Sequence, residues 1–94
     1  MYRLVLARGV QNALDEVVQS EARLKKVRKA LAQLEVDPRH PGLRSHTFYT
    51  LHGPLGEAIW ESYVENQTPA AWRIWWYYGP EQGVITVVAL GQHP

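Results

Sequence analysis

The chain contains no cysteine. That excludes a disulfide framework, a thiolate zinc site and a cysteine nucleophile, and it fits a reducing compartment. No apolar run approaches the roughly 20 residues that cross a bilayer. The opening Met1-Tyr2-Arg3-Leu4-Val5-Leu6 is too short for a signal peptide, so a cytoplasmic protein with no membrane role is expected. A glycine-rich phosphate loop and a Gly-x-Ser-x-Gly elbow are also missing, as are internal repeats and low-complexity stretches. Positive charge is scarce in the second half. From residue 51 onward Arg73 is the one Lys or Arg against Glu57, Glu61, Glu65 and Glu81, a balance of −3. Residues 22–50 hold Arg23, Lys25, Lys26, Arg28, Lys29, Arg39 and Arg44 against Glu35 and Asp37, a balance of +5. A basic flank of this kind either meets a polyanion or is simply a solvated helix face.

Hydrophobic residues make up 46% and charged residues 20% of the 94 positions, the mixture of a folded globular chain. At this length one domain, 1–94, is expected, hiding roughly 60–70% of the surface that the unfolded chain exposes. Tyr2–Leu6 reads as a short strand. Val10, Ala13, Leu14, Val17 and Val18 recur at i, i+3, i+4, i+7 and i+8, the stripe of an amphipathic helix that Gly9 can cap. Ser20 is a stronger cap for a second helix, with Leu24, Val27, Leu31 and Leu34 inward and Lys25, Lys26, Arg28 and Lys29 toward water. Asp37-Pro38-Arg39-His40-Pro41-Gly42 stops that helix. Strands are expected over Arg44–Leu51, Glu57–Val64, Trp72–Tyr78 and Val84–Leu90, joined by short turns into an antiparallel meander. The fold class is therefore α+β: an N-terminal strand and a two-helix hairpin packed on a four- to five-stranded, mainly antiparallel sheet, with the sheet's other face partly open.

Trp72–Tyr78, Trp-Arg-Ile-Trp-Trp-Tyr-Tyr, is the segment around which the rest is organised. Strand alternation sends Trp72, Ile74, Trp76 and Tyr78 to one face and Arg73, Trp75 and Tyr77 to the other. An arginine among aromatic side chains is costly unless it is partnered or used. Its structural alternative is an ion pair with a glutamate such as Glu61, stacked on Trp75. The tryptophans read chiefly as core. Glu57 and Glu61 share a strand face about 13 Å apart, too far for a paired-carboxylate site, and are expected to face solvent. His40, His46 and His52 recur every six residues, which matches no common metal-ligand pattern, so no metal or cofactor is expected.

Three features together resemble the RelE/ParE toxin superfamily of type II toxin–antitoxin systems. They are the helical hairpin followed by Asp37-Pro38-Arg39-His40-Pro41-Gly42-Leu43-Arg44, the arginine opening the central strand (Arg73), and a last strand running into a tail that carries a ring side chain (His93). The resemblance covers nearly the whole chain. It implies a metal-independent mRNA endoribonuclease, acting with or without the ribosome, held in check by a cognate antitoxin. The site would use Arg73 on the scissile phosphate and His93 as acid or base, with Arg44, His46, Arg39, Lys25, Lys26 and Lys29 binding RNA. Such a cleavage needs a base near the ribose 2′-oxygen, cations for the phosphoryl charge and an acid for the departing 5′-oxygen. Arginine suits the phosphate through its planar fork, and histidine titrates near neutrality. The chain departs from strongly basic relatives in its near-neutral charge and its glutamates at 57 and 61. The alternative is therefore a non-nuclease protein of the same fold, either a DNA gyrase inhibitor or an inactive antitoxin-binding relative.

Overall fold

The computed structural model describes residues 1–93. In chain order its elements are β1 (Arg3–Leu6), α1 (Arg8–Val17), α2 (Glu21–Val36), a 3-10 turn (Pro41–Leu43), β2 (His46–His52), β3 (Ala58–Tyr63), β4 (Trp72–Tyr78) and β5 (Val84–Gln92). The five strands form one sheet in the order β1-β5-β4-β3-β2. The expected meander is present: β2, β3, β4 and β5 pair antiparallel in sequence, and β1 joins β5 in parallel. This is the α+β architecture anticipated, with Trp72–Tyr78 at the centre of the sheet.

Helix α2 begins where its cap predicts, with Ser20 Oγ accepting from the Arg23 N–H at 3.3 Å. Helix α1 does not start at Gly9. Its cap is Ala7, with no side-chain acceptor, and the Ala7 N–H instead donates to Val87 O at 2.8 Å. The helix start is thus set by docking of the β1–α1 junction on β5, and Gly9 lies inside the first turn. Val18 falls beyond the end of α1 and is exposed, so the inward stripe reduces to Val10 and Val17 with half-buried Ala13 and Leu14.

The helix-side core joins Val10, Val17, Val27, Ala30 and Leu34 to Trp72, Ile74, Trp76, Ile85, Val87 and Leu90. The opposite face is less open than its alternation suggests. Arg73, Trp75 and Tyr77 are all buried there, and a second small cluster gathers Ile59, Trp75 and Tyr77 with Phe48, Val88 and Ala89. Three tryptophans are core, and Trp60 is half-buried.

One irregularity sets what lies beside Arg73. Trp75 pairs with Ala89 but Trp76 with Val87, so Val88 is an extra residue on β5, a β-bulge. Because side chains alternate with period two, a one-residue slip reverses the faces of everything after it. Before the bulge Ile85 and Val87 face the helices; after it Leu90 does, and Gly91 lies opposite Arg73. Continued alternation then sends His93 to the Arg73 face.

The strand expected from Arg44 starts two residues later. Arg44 has φ 48, a left-handed conformation that closes the 3-10 turn, so it does not share a strand face with His46. A polar relay ties this loop to the sheet. The Trp76 indole donates to Ser62 Oγ (2.7 Å), Ser62 lies 2.7 Å from Ser45 Oγ, and Ser45 donates to Pro38 O (2.9 Å). Since an indole N–H only donates and Ser45 spends its proton on Pro38, the hydroxyl proton between the serines belongs to Ser62. Ser62→Ala would orphan the buried indole N–H. It should cost about 1–3 kcal/mol in urea unfolding, and a midpoint equal to the native chain's would show that the relay carries no stability.

Candidate functional site

Sheet register lays the site out as two neighbouring rows on the face away from the helices. One row runs His46, Glu61, Trp75, Ala89 across β2, β3, β4 and β5; the next runs Tyr63, Arg73, Gly91. His93 follows the end of β5, held by its N–H donating to Ala71 O at 2.9 Å. Gly91 leaves open space beside Arg73, since a methyl group there would meet nothing within 4 Å.

Arg73 is 8% exposed. Its Nη1 donates to Glu65 O at 2.5 Å and to Trp72 O at 3.1 Å, and its Cζ lies 3.7 Å from the centre of the Tyr63 ring. Among the described residues no carboxylate pairs with it, and its Nε is buried without a partner. The expected structural alternative, pairing with Glu61 and stacking on Trp75, is not what forms: the ring is Tyr63 and the acceptors are main-chain carbonyls. A guanidinium solvated by dipoles and a π face keeps its full charge for an anion.

Glu61 is not solvent-facing. Its side chain is 3% exposed, with Oε2 accepting from the Trp75 indole at 2.8 Å. Oε1 lies 2.9 Å from His46 Nε2 and 3.8 Å from His93 Nε2. The expectation failed because strand alternation alone does not say what covers a face; here Trp75 and two imidazoles do. His46 Nδ1 is also 3.0 Å from Arg44 O, so both of its ring nitrogens face oxygen atoms. The rings of His46 and His93 are half-exposed, whereas the carboxylate between them is not. The other two histidines lie elsewhere: His40 caps the 3-10 turn and His52 ends β2.

The structure therefore gathers Arg73, His93, His46 and Arg44 around Glu61 and Tyr63, with Arg44 Cζ 5.8 Å from the Tyr63 ring. The remaining cations stand apart. Lys26 pairs with Glu65 (3.6 Å), while Lys29 lines a shallow groove that reaches Tyr63. Lys25 belongs to a different hollow, beside Glu21 and Arg28, and Arg39 to one beneath Trp60 and Tyr78.

Glu61, Tyr63 and Glu65 were not identified as site residues from the sequence. The usable signal for Glu61 was its place in β3: an acid between Trp60 and Ser62 inside a strand that pairs with Trp72–Tyr78. Glu65 gave no local signal. Its buried carboxylate accepts from Arg23 Nε (3.3 Å) and the Trp72 N–H (3.1 Å) besides meeting Lys26, and its carbonyl holds Arg73. Arg23 also lies over the Trp72 ring at 5.2 Å.

A two-helix hairpin over a five-stranded sheet of this order is the fold of the RelE/ParE toxins, and the chain has it. The archaeal RelE in its RelE–RelB complex from Pyrococcus horikoshii is similar with a TM-score of 0.70 at 16% identity, over 97% of this chain and 93% of that one. The YoeB/ParE toxin from Agrobacterium tumefaciens gives 0.71 at 15% identity with 100% of both chains covered. A chain of the E. coli RelBE toxin–antitoxin complex gives 0.67 at 12% identity, covering 100% and 99%. No family sequence model matches the chain, and no curated protein matches it in sequence.

Because Glu65 joins α2 to the loop that holds Arg73, Glu65→Ala should destabilise the domain by about 1–3 kcal/mol in chemical denaturation. Glu65→Gln, which keeps an acceptor, should recover part of that loss. Equal midpoints for native chain and Glu65→Ala would mean that Arg23 and Lys26 are as well solvated by water.

Proposed function

We propose that the chain is the toxin of a type II toxin–antitoxin pair, acting in the cytoplasm as a metal-independent endoribonuclease on mRNA, with a cognate antitoxin as its protein partner. The observation that carries this reading is the grouping of side chains at the site. A buried arginine, free of carboxylates among the described residues, stands on the same sheet face as two half-exposed imidazoles that share one buried carboxylate. The shared fold supports the toxin role and the antitoxin partner. The RelE of Pyrococcus horikoshii is seen in complex with RelB, and a YoeB from Staphylococcus aureus with YefM.

The chemistry follows from the groups present. A base takes the proton of a ribose 2′-hydroxyl as its oxygen bonds to the adjacent phosphorus. Arg73 neutralises the charge that builds on the non-bridging oxygens. The bond from phosphorus to the 5′-oxygen breaks, and that oxygen takes a proton from an acid, leaving a 2′,3′-cyclic phosphate and a 5′-hydroxyl. His93 serves as acid or base, and His46, across the same carboxylate, is placed for the complementary transfer. Glu61 is too covered to reach substrate; its carboxylate faces both rings and fixes where they stand. Arg44 and Lys29 flank the site and would carry the neighbouring RNA backbone, with Lys26 available when it leaves Glu65. Ribosome dependence would supply the wider anionic surface that a chain of net charge +1 does not bind strongly by itself.

Arg73→Ala and His93→Ala should each lower transcript cleavage by about two to four orders of magnitude, measured with excess chelator present and with folding checked by circular dichroism. Arg73→Lys should restore little, because a point charge lacks the planar fork. Cleavage by both alanine variants at the native rate would remove the site assignment. Induced expression should arrest growth with fragmented transcripts; intact transcripts with relaxed plasmid would turn the reading to gyrase.

A further inference from the structure

A hollow lies on the other side of the sheet. It measures about 280 Å³ and is lined by Arg39, His40, Arg44, Trp60, Trp76 and Tyr78, with Pro38, Pro41 and Ser45 completing the wall. Its base is aromatic. Trp60 stacks on Trp76 (centroids 5.9 Å apart, planes at 18°), and Tyr78 stands edge-on to both at 6.4 and 4.9 Å. Neither helix seals this area, which leaves Trp60 half-buried and Tyr78 38% exposed.

The rim is cationic and donor-rich. Arg39 is exposed, and among the described residues no carboxylate lies within ion-pair distance of it; Asp37 is engaged through its Oδ1 with the Arg39 main-chain N–H at 3.0 Å. His40 Nδ1 accepts from the Gly42 N–H at 3.0 Å, which leaves Nε2 to carry the ring proton as a donor. Burial raises the Tyr78 pKa, with Tyr2 and the Asp37 carboxylate adding to the effect and Arg39 opposing it; its hydroxyl is a donor as well. The Ser45–Ser62–Trp76 relay holds the loop wall rigidly against the aromatic base.

We infer that this hollow binds a nucleotide, its base against Trp60 and Tyr78 and its phosphate on Arg39. An aromatic surface offers stacking to any base, and an unpaired guanidinium with neighbouring donors suits a phosphate. The inference does not rest on the ribonuclease reading, since none of these groups except Arg44 belongs to the Arg73 cluster. The same chemistry has two sources: a free mononucleotide, or one nucleotide of an RNA strand that rounds the edge of the sheet at Arg44, whose side chain is also close to Tyr63.

The full chain, followed by ¹H–¹⁵N NMR, would be titrated with adenosine 5′-monophosphate, with adenosine and with inorganic phosphate. The monophosphate should shift the Trp60 indole and the amides of residues 39, 40, 42–45 and 78, more strongly than either fragment does. Arg39→Ala, a surface change that leaves the aromatic base intact, should weaken that binding about tenfold, and Trp60→Leu should diminish the shifts of the loop amides. Competition with an uncleavable oligoribonucleotide separates the sources. Mutual displacement places the nucleotide within a strand, and independent binding makes it a free ligand; either outcome supports the site. Shifts confined to His46, Glu61, Arg73 and His93, or unchanged affinity in Arg39→Ala, would overturn it. A chain that cleaves no RNA yet binds the monophosphate here would defeat the ribonuclease proposal and leave this one standing.

Discussion

A guanidinium within a sheet must be solvated by something, and the answer chosen here governs the rest of the site. Arg73 could have been neutralised by a carboxylate, which would have ended its use for anions. Instead two main-chain carbonyls and the Tyr63 ring satisfy it. Carbonyl dipoles stabilise the cation without cancelling it, so its charge is still available to a ligand. The arrangement works only because the chain turns after β3 so that Glu65 O faces the arginine. That turn is held in place by the Glu65 carboxylate's contacts to α2 and to the main chain of β4. The basic face of α2 is thus partly structural. Arg23 and Lys26 serve an internal acid, and Lys29 is the member of that face left beside the groove leading to Tyr63.

Glu61 solves a complementary problem. A buried carboxylate needs donors, and the Trp75 indole supplies one to Oε2 while His46 takes Oε1. Negative charge is thereby placed against the two histidines, and among the described residues it does not pair with Arg73. The indole explains why a tryptophan stands at 75, on the face with less apolar burial: it is both core and donor.

Local signals made much of the architecture legible. Ser20 marked the start of α2, the two prolines marked its end, and the aromatic run announced the central strand. Arg73 and His93 were also legible as candidates, because an arginine amid tryptophans and a ring in the tail stand out in any reading. Glu61 was misplaced because surface exposure is a property of neighbouring strands, and no window along β3 contains Trp75 or His46. Arg44 reads as a strand residue because Arg44–Leu51 lies between two turn signals, Pro41-Gly42 and His52-Gly53-Pro54. Its left-handed backbone is imposed by the 3-10 turn that the preceding Pro41-Gly42-Leu43 adopts against α2 and β3.

The amino-acid sequence by itself determined the elements, their order and the faces of the central strand, since helix stripes, caps, proline breaks and strand alternation act over a few residues. The tertiary structure alone decided which residues became neighbours across the sheet. The extra residue at Val88 reverses the faces of β5 and brings His93 round to the face of Arg73 and Glu61, and the β2–β3 register sets His46 against Glu61. Both depend on hydrogen-bond pairing between segments far apart in the chain. A shift of one residue would send the same side chains to opposite faces while leaving every local pattern unchanged.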